Sequence, residues 1–430
     1  MTRTHVRWLI VAVLFVDTTV NYADRASISL AGPAIARDLR LDAVVMGYVF
    51  SAFGWAYVVM QLPGGWLLDR FGSKRVYAVS LFALSLVTLL TGAVSLLAGV
   101  GAVVALFALR CLVGAAEAPS FPANSRIVAA WFPAGERGTA TAIFNSAQYA
   151  ATVLFAPLMG WLIHAYGWHA VFAVMGALGL LLVPAWNALV FDPKAHPLAS
   201  AAEVAYIEAG GGLVSMDVAR HERGPHVRQV ARLLRSRMLV GVYVAQYCIN
   251  ALTYFFITWF PVYLVKERHM TILEAGLVAA VPAACGFVGG VLGGVISDLL
   301  LKRGHSLSVA RKTPIVLGML LSMTMVACNY VSAEWAVVFF MALAFFGKGV
   351  GALGWAVNAD TAPREIAGLS GALFNTCGNL SGITTPIAIG YIVERSGSFA
   401  GALVYVGAHA LVAILCYLVV VGKIQRVTLA

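Results

Sequence analysis

Charged residues are scarce along this chain: Asp, Glu, Lys and Arg make up only 11% of its 430 residues, whereas 61% of the residues are hydrophobic. A soluble protein carries roughly 25% charged residues, so this composition excludes an ordinary soluble enzyme or binding domain. Apolar runs recur along the whole length, and each reaches the 20 or so residues that are needed to cross a hydrocarbon core of about 30 Å. The chain is therefore predicted to be a polytopic membrane protein.

The sequence also lacks the patterns of a metal or redox site. Its six cysteines all fall within apolar runs, and none forms a C-x-x-C pair or neighbours a His cluster. Such isolated cysteines are typical of small buried hydrophobic side chains rather than metal ligands. No metal and no cofactor are predicted.

Alternation of apolar and polar residues is absent from the apolar runs, so helices and not barrel strands are predicted to cross the membrane. The first run is not predicted to be a cleaved signal, because no small-residue cleavage site follows its apolar part. Twelve helices, called spans 1 to 12, are expected near residues 8–30, 45–68, 76–96, 101–124, 139–165, 168–191, 238–264, 273–301, 312–331, 335–358, 366–394 and 399–422.

The net charge of +10 has a topological explanation and does not call for a nucleic-acid partner. If both termini are cytoplasmic, 21 of the 29 Lys and Arg residues fall on the cytoplasmic side, five fall on the opposite side and three lie inside spans. This bias is the positive-inside rule. It predicts a multi-pass protein with both termini in the cytoplasm.

The sequence divides into two similar parts. The segment GGWLLDRFGSKR, from Gly64, returns after 229 residues as GGVISDLLLKRG, and TAIFN, ending at Asn145, returns after 230 residues as GALFN, ending at Asn375. Internal duplication into six-span halves is typical of secondary transporters that rock about a site at mid-membrane. We expect an all-α membrane fold of two pseudo-symmetric six-helix bundles, 1–191 and 238–430, joined by a cytoplasmic linker, 192–237.

A G-x-x-x-D motif with basic residues follows span 2 and recurs after span 8. It resembles the signature of the major facilitator superfamily, and its members here are Gly65, Asp69, Arg70 and the later Asp298. We interpret it as a conformational latch: the glycine allows helices to approach closely, and the carboxylate meets a helix N-terminus or a basic side chain in only one of two states. The alternative is a simple turn with topogenic charges.

Ionisable residues inside membrane spans are costly and are functional candidates by default. Asp24 lies in span 1, and Arg110 and Glu117 lie seven residues apart on one face of span 4. Because Glu117 has no obvious local cation, it is predicted to be a proton site rather than a passive hydrogen-bonding group. For Asp24 with Arg110, a structural ion pair and a coupling role are both open.

Two cations lie in different halves of the chain. Arg25 belongs to span 1, and Lys348 lies near the middle of span 10, with Trp355 seven residues later on the same predicted face. If both cations face one cavity, they suit a substrate with a carboxylate at each end. The alternative for Lys348 is hydrogen bonding to carbonyls within a glycine-rich helix.

Polar side chains at helical spacing are predicted to complete the cavity. Amides and phenols both donate and accept hydrogen bonds, so they suit the hydroxyls of a polyol chain. Individually, each could instead be an ordinary contact between helices. The candidates are Tyr22, Tyr57 and Gln61, Asn145 and Gln148, Gln246 and Asn250, and Asn375 and Asn379.

Long motifs in spans 1, 2, 4 to 5 and 10 to 11 resemble the anion:cation symporter family of the major facilitator superfamily, and in particular its bacterial glucarate/galactarate proton symporters. They include NYADRASISLAG, GYVFSAFGWAYVVMQLPGGWLLDRFGSKRVY and MALAFFGKGVGALGWAVNADTAPREIAGLSGALFNTCGN. The resemblance implies a monomer in the bacterial inner membrane.

The resemblance also assigns roles by position. It implies proton coupling for Asp24 and Glu117, pairing with them for Arg110, and substrate-carboxylate binding for Arg25. The pocket positions that it implies are Tyr22, Tyr57, Gln148, Trp355 and Asn375. Where related galactonate transporters are expected to carry hydroxyls, this chain has Ala352 and Gly354, which disfavours an aldonate.

We therefore expect a proton-coupled importer of sugar diacids such as glucarate and galactarate, and not an enzyme. The nearest alternative is a proton symporter of another organic anion, such as a hexuronate or an aldonate. An intramembrane enzyme is disfavoured because no span carries a nucleophile with a base. A sensor is disfavoured because no output domain follows span 12, and a drug exporter because the predicted cavity is polar and cationic.

Overall fold

The computed structural model describes residues 4–97, 99–133, 136–214, 227–363 and 366–427, and within these ranges it contains helices and no strand. The predicted all-helical membrane fold is confirmed. Span 1 is Val6–Asp38, span 2 Ala43–Phe71, span 3 Ser73–Gly92, span 4 Gly99–Glu117 with Ser120–Trp131, span 5 Arg137–Tyr166 and span 6 Trp168–Leu189. Span 7 is Arg237–Tyr254 with Phe260–Lys266, span 8 Ile272–Lys302, span 9 Leu307–Ser322, span 10 Glu334–Val350 with Gly354–Thr361, span 11 Ala367–Ser396 and span 12 Ala400–Leu415.

Among the described residues, 11 of these helices are long and apolar enough to cross a membrane. Span 11 is not one of them, although its 30 residues exceed the required length. Its polar side chains, among them Asn375, Asn379 and Thr384, lower its hydropathy. Polar residues that line a cavity lower the mean hydropathy of a membrane helix, so such a helix is harder to recognise from its sequence.

We call spans 1 to 6 the N-half and spans 7 to 12 the C-half. The first residue of span 1, Val6, and the last residue of span 12, Leu415, lie on one face of the bundle, which we call the terminal side, and the opposite face is called the far side. Between the halves, two short helices, Ala201–Ala209 and Val227–Arg235, lie on the terminal side. Residues 215–226 of the predicted linker lie outside the described ranges.

A buried carboxylate ties the first of these short helices to the N-half. Glu203 accepts hydrogen bonds from the backbone amides of Val6 and Arg7, at 3.0 and 3.2 Å, and from Arg7 Nη1 at 3.0 Å. Span 1 has no side-chain cap of its own at its first turn. Glu203 therefore supplies the negative charge that a helix N-terminus favours.

The two halves pack closely on the far side. A Cβ atom added to Gly47 would lie 2.7 Å from the carbonyl oxygen of Pro386, and one added to Gly276 would lie 2.7 Å from that of Ala156. Only glycine permits such backbone approach. Here Glu394 also accepts a hydrogen bond from the Ala43 amide at 3.0 Å. These contacts close the space between the halves on the far side.

Span 10 is interrupted in the middle of the bundle. Its first helix ends at Val350, residues 351–353 form a turn, and a second helix begins at Gly354. The expectation that Lys348 and Trp355 share one face of a continuous helix is therefore wrong. The glycines of the segment GKGVGALG weaken helix continuity, and the chain breaks there.

Candidate functional site

A cavity of about 420 Å³ lies between the two halves and extends from mid-bundle toward the terminal side. On the far side it ends against Ile28, Phe50 and Thr258, and toward the terminal side it reaches Trp355, whose side chain is exposed. All eight predicted substrate-binding residues line it: Tyr22, Arg25, Tyr57, Asn145, Gln148, Lys348, Trp355 and Asn375. The structure thus brings these eight residues, from five different spans, into one cavity.

Arg25 and Glu117 form an ion pair at the wall of this cavity. Arg25 Nε donates to both carboxylate oxygens of Glu117, at 2.9 and 3.0 Å, and Arg25 Nη2 lies 2.8 Å from Glu117 Oε1. Both side chains are largely buried. The expectation that Glu117 lacks a nearby cation is therefore wrong, because its partner comes from another span.

Three aromatic rings surround the Arg25 guanidinium. Its central carbon lies 4.7 Å from the ring centroid of Tyr22, 4.6 Å from that of Phe53 and 5.0 Å from that of Tyr57. Guanidinium groups are attracted to aromatic faces in this range. The rings hold the cation in place between the Glu117 carboxylate and the cavity.

Asp24 takes a hydrogen bond from span 3 instead of an ion pair. Its Oδ2 accepts from Thr88 Oγ1 at 2.6 Å, and its buried Oδ1 has no hydrogen-bond partner among the described residues. The buried Nε of Arg110 is likewise unpartnered there. Of the two alternatives for Asp24 and Arg110, a satisfied structural ion pair is absent in this conformation, within the described part of the chain.

Lys348 is a buried cation at the C-half wall of the cavity. Its Nζ lies 5.7 Å from the ring centroid of Tyr149 and 5.3 Å from that of Phe345. Within the described ranges no carboxylate lies within 4.0 Å of it. A buried charge without a counter-charge is costly, so Lys348 is suited to an anionic ligand.

Amide side chains on the C-half wall of the cavity form two short networks. On the C-half, Tyr254 donates to Asn379 Oδ1 at 2.8 Å, and Asn379 Nδ2 donates to Asn375 Oδ1 at 3.1 Å. Gln246 Nε2 donates to Asn250 Oδ1 at 3.1 Å. These bonds orient the amides and leave further donor and acceptor positions for a ligand.

The predicted latch residues lie on the terminal side. Asp69 forms an ion pair with Arg126 of span 4, which sequence reasoning did not single out. Asp298 is exposed. A Cβ added to Gly65 would meet nothing within 4 Å, whereas one added to the preceding Gly64 would lie 3.3 Å from Pro119. In this conformation Gly64, and not Gly65, is the position of close helix approach, and Arg70 stacks beside Trp66 and Phe71.

Three other residues that shape the site carried weak signals in the sequence. Phe53 was indistinguishable from the apolar residues around it, although its ring centroid lies 4.6 Å from the central guanidinium carbon of Arg25 and 5.9 Å from that of Arg110. Thr88 was one of several hydroxyl-bearing residues in an apolar run, with Ser80, Ser85 and Thr91. Tyr149 lies beyond Gln148 in a segment that had already been noted for its polar residues.

The chain is similar in sequence to known membrane transporters. The family model described as Major Facilitator Superfamily matches residues 14–328. The chain is 63% identical over 435 residues to the "Probable galactarate/D-glucarate transporter GudP" of Escherichia coli (strain K12), covering 99% of this chain and 96% of the relative. It is 62% identical to the protein of the same name from Bacillus subtilis (strain 168), covering 99% and 94%.

Among solved structures, a bacterial homologue of the human lysosomal transporter Spinster matches with a TM-score of 0.76. The match covers 100% of both chains at 16% sequence identity. At this identity the likeness concerns the fold alone.

Proposed function

Because this chain belongs to the Major Facilitator Superfamily, we propose that it is a proton-coupled importer of sugar diacids, with galactarate and D-glucarate as its substrates. The chain is a transporter and not an enzyme, in keeping with the family and with relatives that are named as transporters. Two relatives named for galactarate and D-glucarate share more than 60% of their residues with it over nearly the full length. This similarity supports the substrate class.

The observation that carries the proposal is the placement of cations from both halves around a single cavity, with Arg110 beside Arg25 on the N-half wall. Arg25 lies on the N-half wall and Lys348 on the C-half wall. A hexarate has a carboxylate at each end of a short polyol chain, so each cation would take one carboxylate. Guanidinium groups bind carboxylates with paired hydrogen bonds, and an ammonium acts as a point charge.

The neutral polar residues would bind the hydroxyls between the two carboxylates. Asn145 and Gln148 line the cavity from span 5, and Asn375 lines it from span 11. Each amide offers both a hydrogen-bond donor and an acceptor, and each hydroxyl of a polyol also donates and accepts hydrogen bonds. Ala352 and Gly354 also line the cavity and leave room near Lys348.

The Arg25 ion pair supplies a mechanism of coupling. Glu117 occupies the guanidinium in this conformation, so a substrate carboxylate has to compete with Glu117 for the same donors. A proton on Glu117 removes its charge and frees Arg25 for the substrate. Asp24, which has an unpartnered oxygen near Arg110, would be a second proton site. Proton and substrate would then load together from the periplasm.

The contacts between the halves support alternating access. The far side is packed and the cavity extends toward the terminal side, which the bias of Lys and Arg assigns to the cytoplasm. In this scheme the structure is inward-open, and the bodies 1–191 and 238–430 rock about the cavity as a monomer in the inner membrane. The motif of Gly65, Asp69, Arg70 and Asp298 would latch the terminal side when the cavity faces the periplasm.

The proposal is tested by uptake of labelled D-glucarate into proteoliposomes under an inward proton gradient. Unlabelled galactarate, D-glucuronate and D-galactonate serve as competitors. Accumulation that collapses with a protonophore and is blocked only by diacids supports the proposal. Equal inhibition by either monoacid would favour the alternative of a hexuronate or aldonate symporter. Uptake that does not depend on the proton gradient would refute proton coupling.

A further inference from the structure

A second carboxylate, Asp17, is buried in span 1 away from the cavity. Its side chain is 1% exposed, and it is not among the residues that line the cavity. No residue of the described ranges makes an ion pair with it, and its Oδ2 is buried without a hydrogen-bond partner. An ionised carboxylate in such surroundings is strongly disfavoured unless a donor or a proton satisfies it.

Asp17 belongs to a line of polar residues that leads to Asp24. Asp17, Asn21 and Asp24 stand at positions i, i+4 and i+7, so they share one face of the helix and extend over about 10 Å. Each of the three has a buried side-chain oxygen without a partner among the described residues. Asn21 is positioned by its Nδ2, which donates to Tyr77 OH at 3.4 Å.

Neighbouring helices add polar groups to this line. Asn124 of span 4 donates from Nδ2 to Thr18 Oγ1 at 2.9 Å, and its own Oδ1 is buried without a partner in the described part of the chain. Tyr77 of span 3 lies within electrostatic range of Asp17. Spans 5 and 6, which also pack against span 1, carry no Asp, Glu or Lys; they carry Arg137 at the first residue of span 5 and two histidines, His164 at the end of span 5 and His169 at the start of span 6.

We propose that Asp17 is a second proton-binding carboxylate that carries protons between Asp24 and the terminal side, along a path through the N-half that is separate from the substrate cavity. Four buried acceptor oxygens in one line need donors, and a protonated carboxyl with ordered water supplies them. In the transfer, the proton of the Asp24 carboxyl passes through water to the Asp17 carboxylate. Asp24 becomes ionised and Asp17 neutral, and Asp17 then releases the proton on the terminal side.

The position of Asp17 fits this direction. It lies 11 residues after the first residue of span 1, or about 16 Å along the axis, whereas Asp24 lies seven residues deeper. A separate route would let a proton leave without waiting for the substrate to clear the cavity. This inference rests on the proposed proton coupling and adds a step to it.

The test compares Asp17→Asn with Asp17→Glu in proteoliposomes, with Glu208→Gln as the control for loss of an exposed carboxylate. Two rates are measured for labelled D-glucarate: accumulation driven by a proton gradient, and counterflow at equal pH. For Asp17→Asn we expect accumulation to fall at least tenfold and counterflow to fall less than threefold. Asp17→Glu should recover most of the accumulation, because it restores a titratable group.

Equal losses of both rates in Asp17→Asn, without recovery in Asp17→Glu, would mean that Asp17 is structural, and unchanged accumulation would exclude it from the proton path. Either result overturns the inference while wild-type symport stands. Absence of gradient-driven accumulation in the wild type would instead refute the proposed function. A pH-sensitive dye inside the vesicles gives an independent readout, since Asp17→Asn should slow the proton flux that accompanies uptake.

Discussion

Arg25 and Glu117, 92 positions apart in the chain, join spans 1 and 4 through one guanidinium and both oxygens of one carboxylate. Arg25 also lines the cavity. An anion that enters the cavity therefore meets a guanidinium that is already hydrogen-bonded to Glu117. In the proposed mechanism, the strength of this ion pair in the absence of a proton sets how much protonation of Glu117 contributes to substrate binding.

Replacement of Glu117 by Gln should separate exchange from accumulation. The amide cannot bind a proton or pair with Arg25 as an anion, so the guanidinium stays available to substrate at any pH. Accumulation under a proton gradient should fall at least a hundredfold, while counterflow of labelled D-glucarate persists. Glu334→Gln, which alters an exposed carboxylate at the start of span 10, is the matched control. Accumulation that survives in Glu117→Gln would remove Glu117 from the coupling mechanism.

Replacement of Lys348 by Met should selectively weaken the binding of diacids. Met keeps much of the side-chain volume but removes the charge, so a substrate loses the partner of one carboxylate. Binding of D-glucarate to the purified protein, measured calorimetrically, should weaken at least tenfold, or by about 1.4 kcal/mol. Binding of D-glucuronate should change less than twofold. Lys302→Met, at an exposed position, should bind both as the wild type does. If the binding of both ligands weakened equally, Lys348 would have a structural role.

Replacement of Gly47 by Leu should prevent closure of the far side. Its side chain would enter the space next to the Pro386 carbonyl, where even a Cβ lies 2.7 Å away. The equilibrium should shift toward the conformation that is open on the far side. Distances between spin labels on the far ends of spans 2 and 11 should lengthen, and transport should be lost. Gly101→Ala, where an added Cβ meets nothing within 4 Å, should leave both unchanged.

Replacement of Glu203 by Gln should destabilise the N-half. It removes the charge that accepts hydrogen bonds from Thr4, Val6 and Arg7, at an expected cost of about 1 to 3 kcal/mol. The thermal unfolding midpoint of the purified protein should fall. Glu208→Gln, in an exposed ion pair with Lys194, should lower it far less.

The same carboxylate predicts a dependence of stability on pH. Burial would raise the pKa of Glu203, but the hydrogen bonds from Thr4 and from the start of span 1 outweigh burial and lower it. A carboxylate whose pKa is lower in the folded protein stabilises that state above the pKa of the unfolded chain. Its contribution should be complete near neutral pH and fall as the pH drops below about 4. The unfolding midpoint of Glu203→Gln should depend less on pH in this range than that of the wild type.

Much of the fold was predictable because membrane helices have a simple signal. Apolar runs located the spans, and polar residues within them indicated cavity residues such as Lys348 and Asn375. The Arg25 and Glu117 pair was not predictable in this way. Spacing along one helix places Glu117 on the face of Arg110, but a pairing between spans depends on how helices rotate about their axes, which spacing does not give.

Two other differences have local causes. The break at 351–353 separates Lys348 from Trp355. The apolar run continues through this break, so hydropathy does not indicate it, although the glycines there are typical of a weak point in a helix. In the motif after span 2, the paired glycines are equivalent in sequence, and only the packing against Pro119 identifies Gly64 as the contact. Asp17 stands apart from the adjacent Asp24 and Arg25, and spacing along span 1 alone does not distinguish it from an ordinary buried polar residue.

The break in span 10 also has a consequence for the return of the empty carrier. Lys348 lies in the last turn of the helix that ends at Val350, where unpaired carbonyls carry a partial negative charge of about half an electron. Arg25 is compensated by Glu117, and the partial charge of the helix end offsets part of the charge of Lys348, which has no carboxylate within 4.0 Å in the described ranges. An empty protein could then reorient without a counter-ion, which would make net uptake, rather than obligatory exchange of one anion for another, its natural cycle.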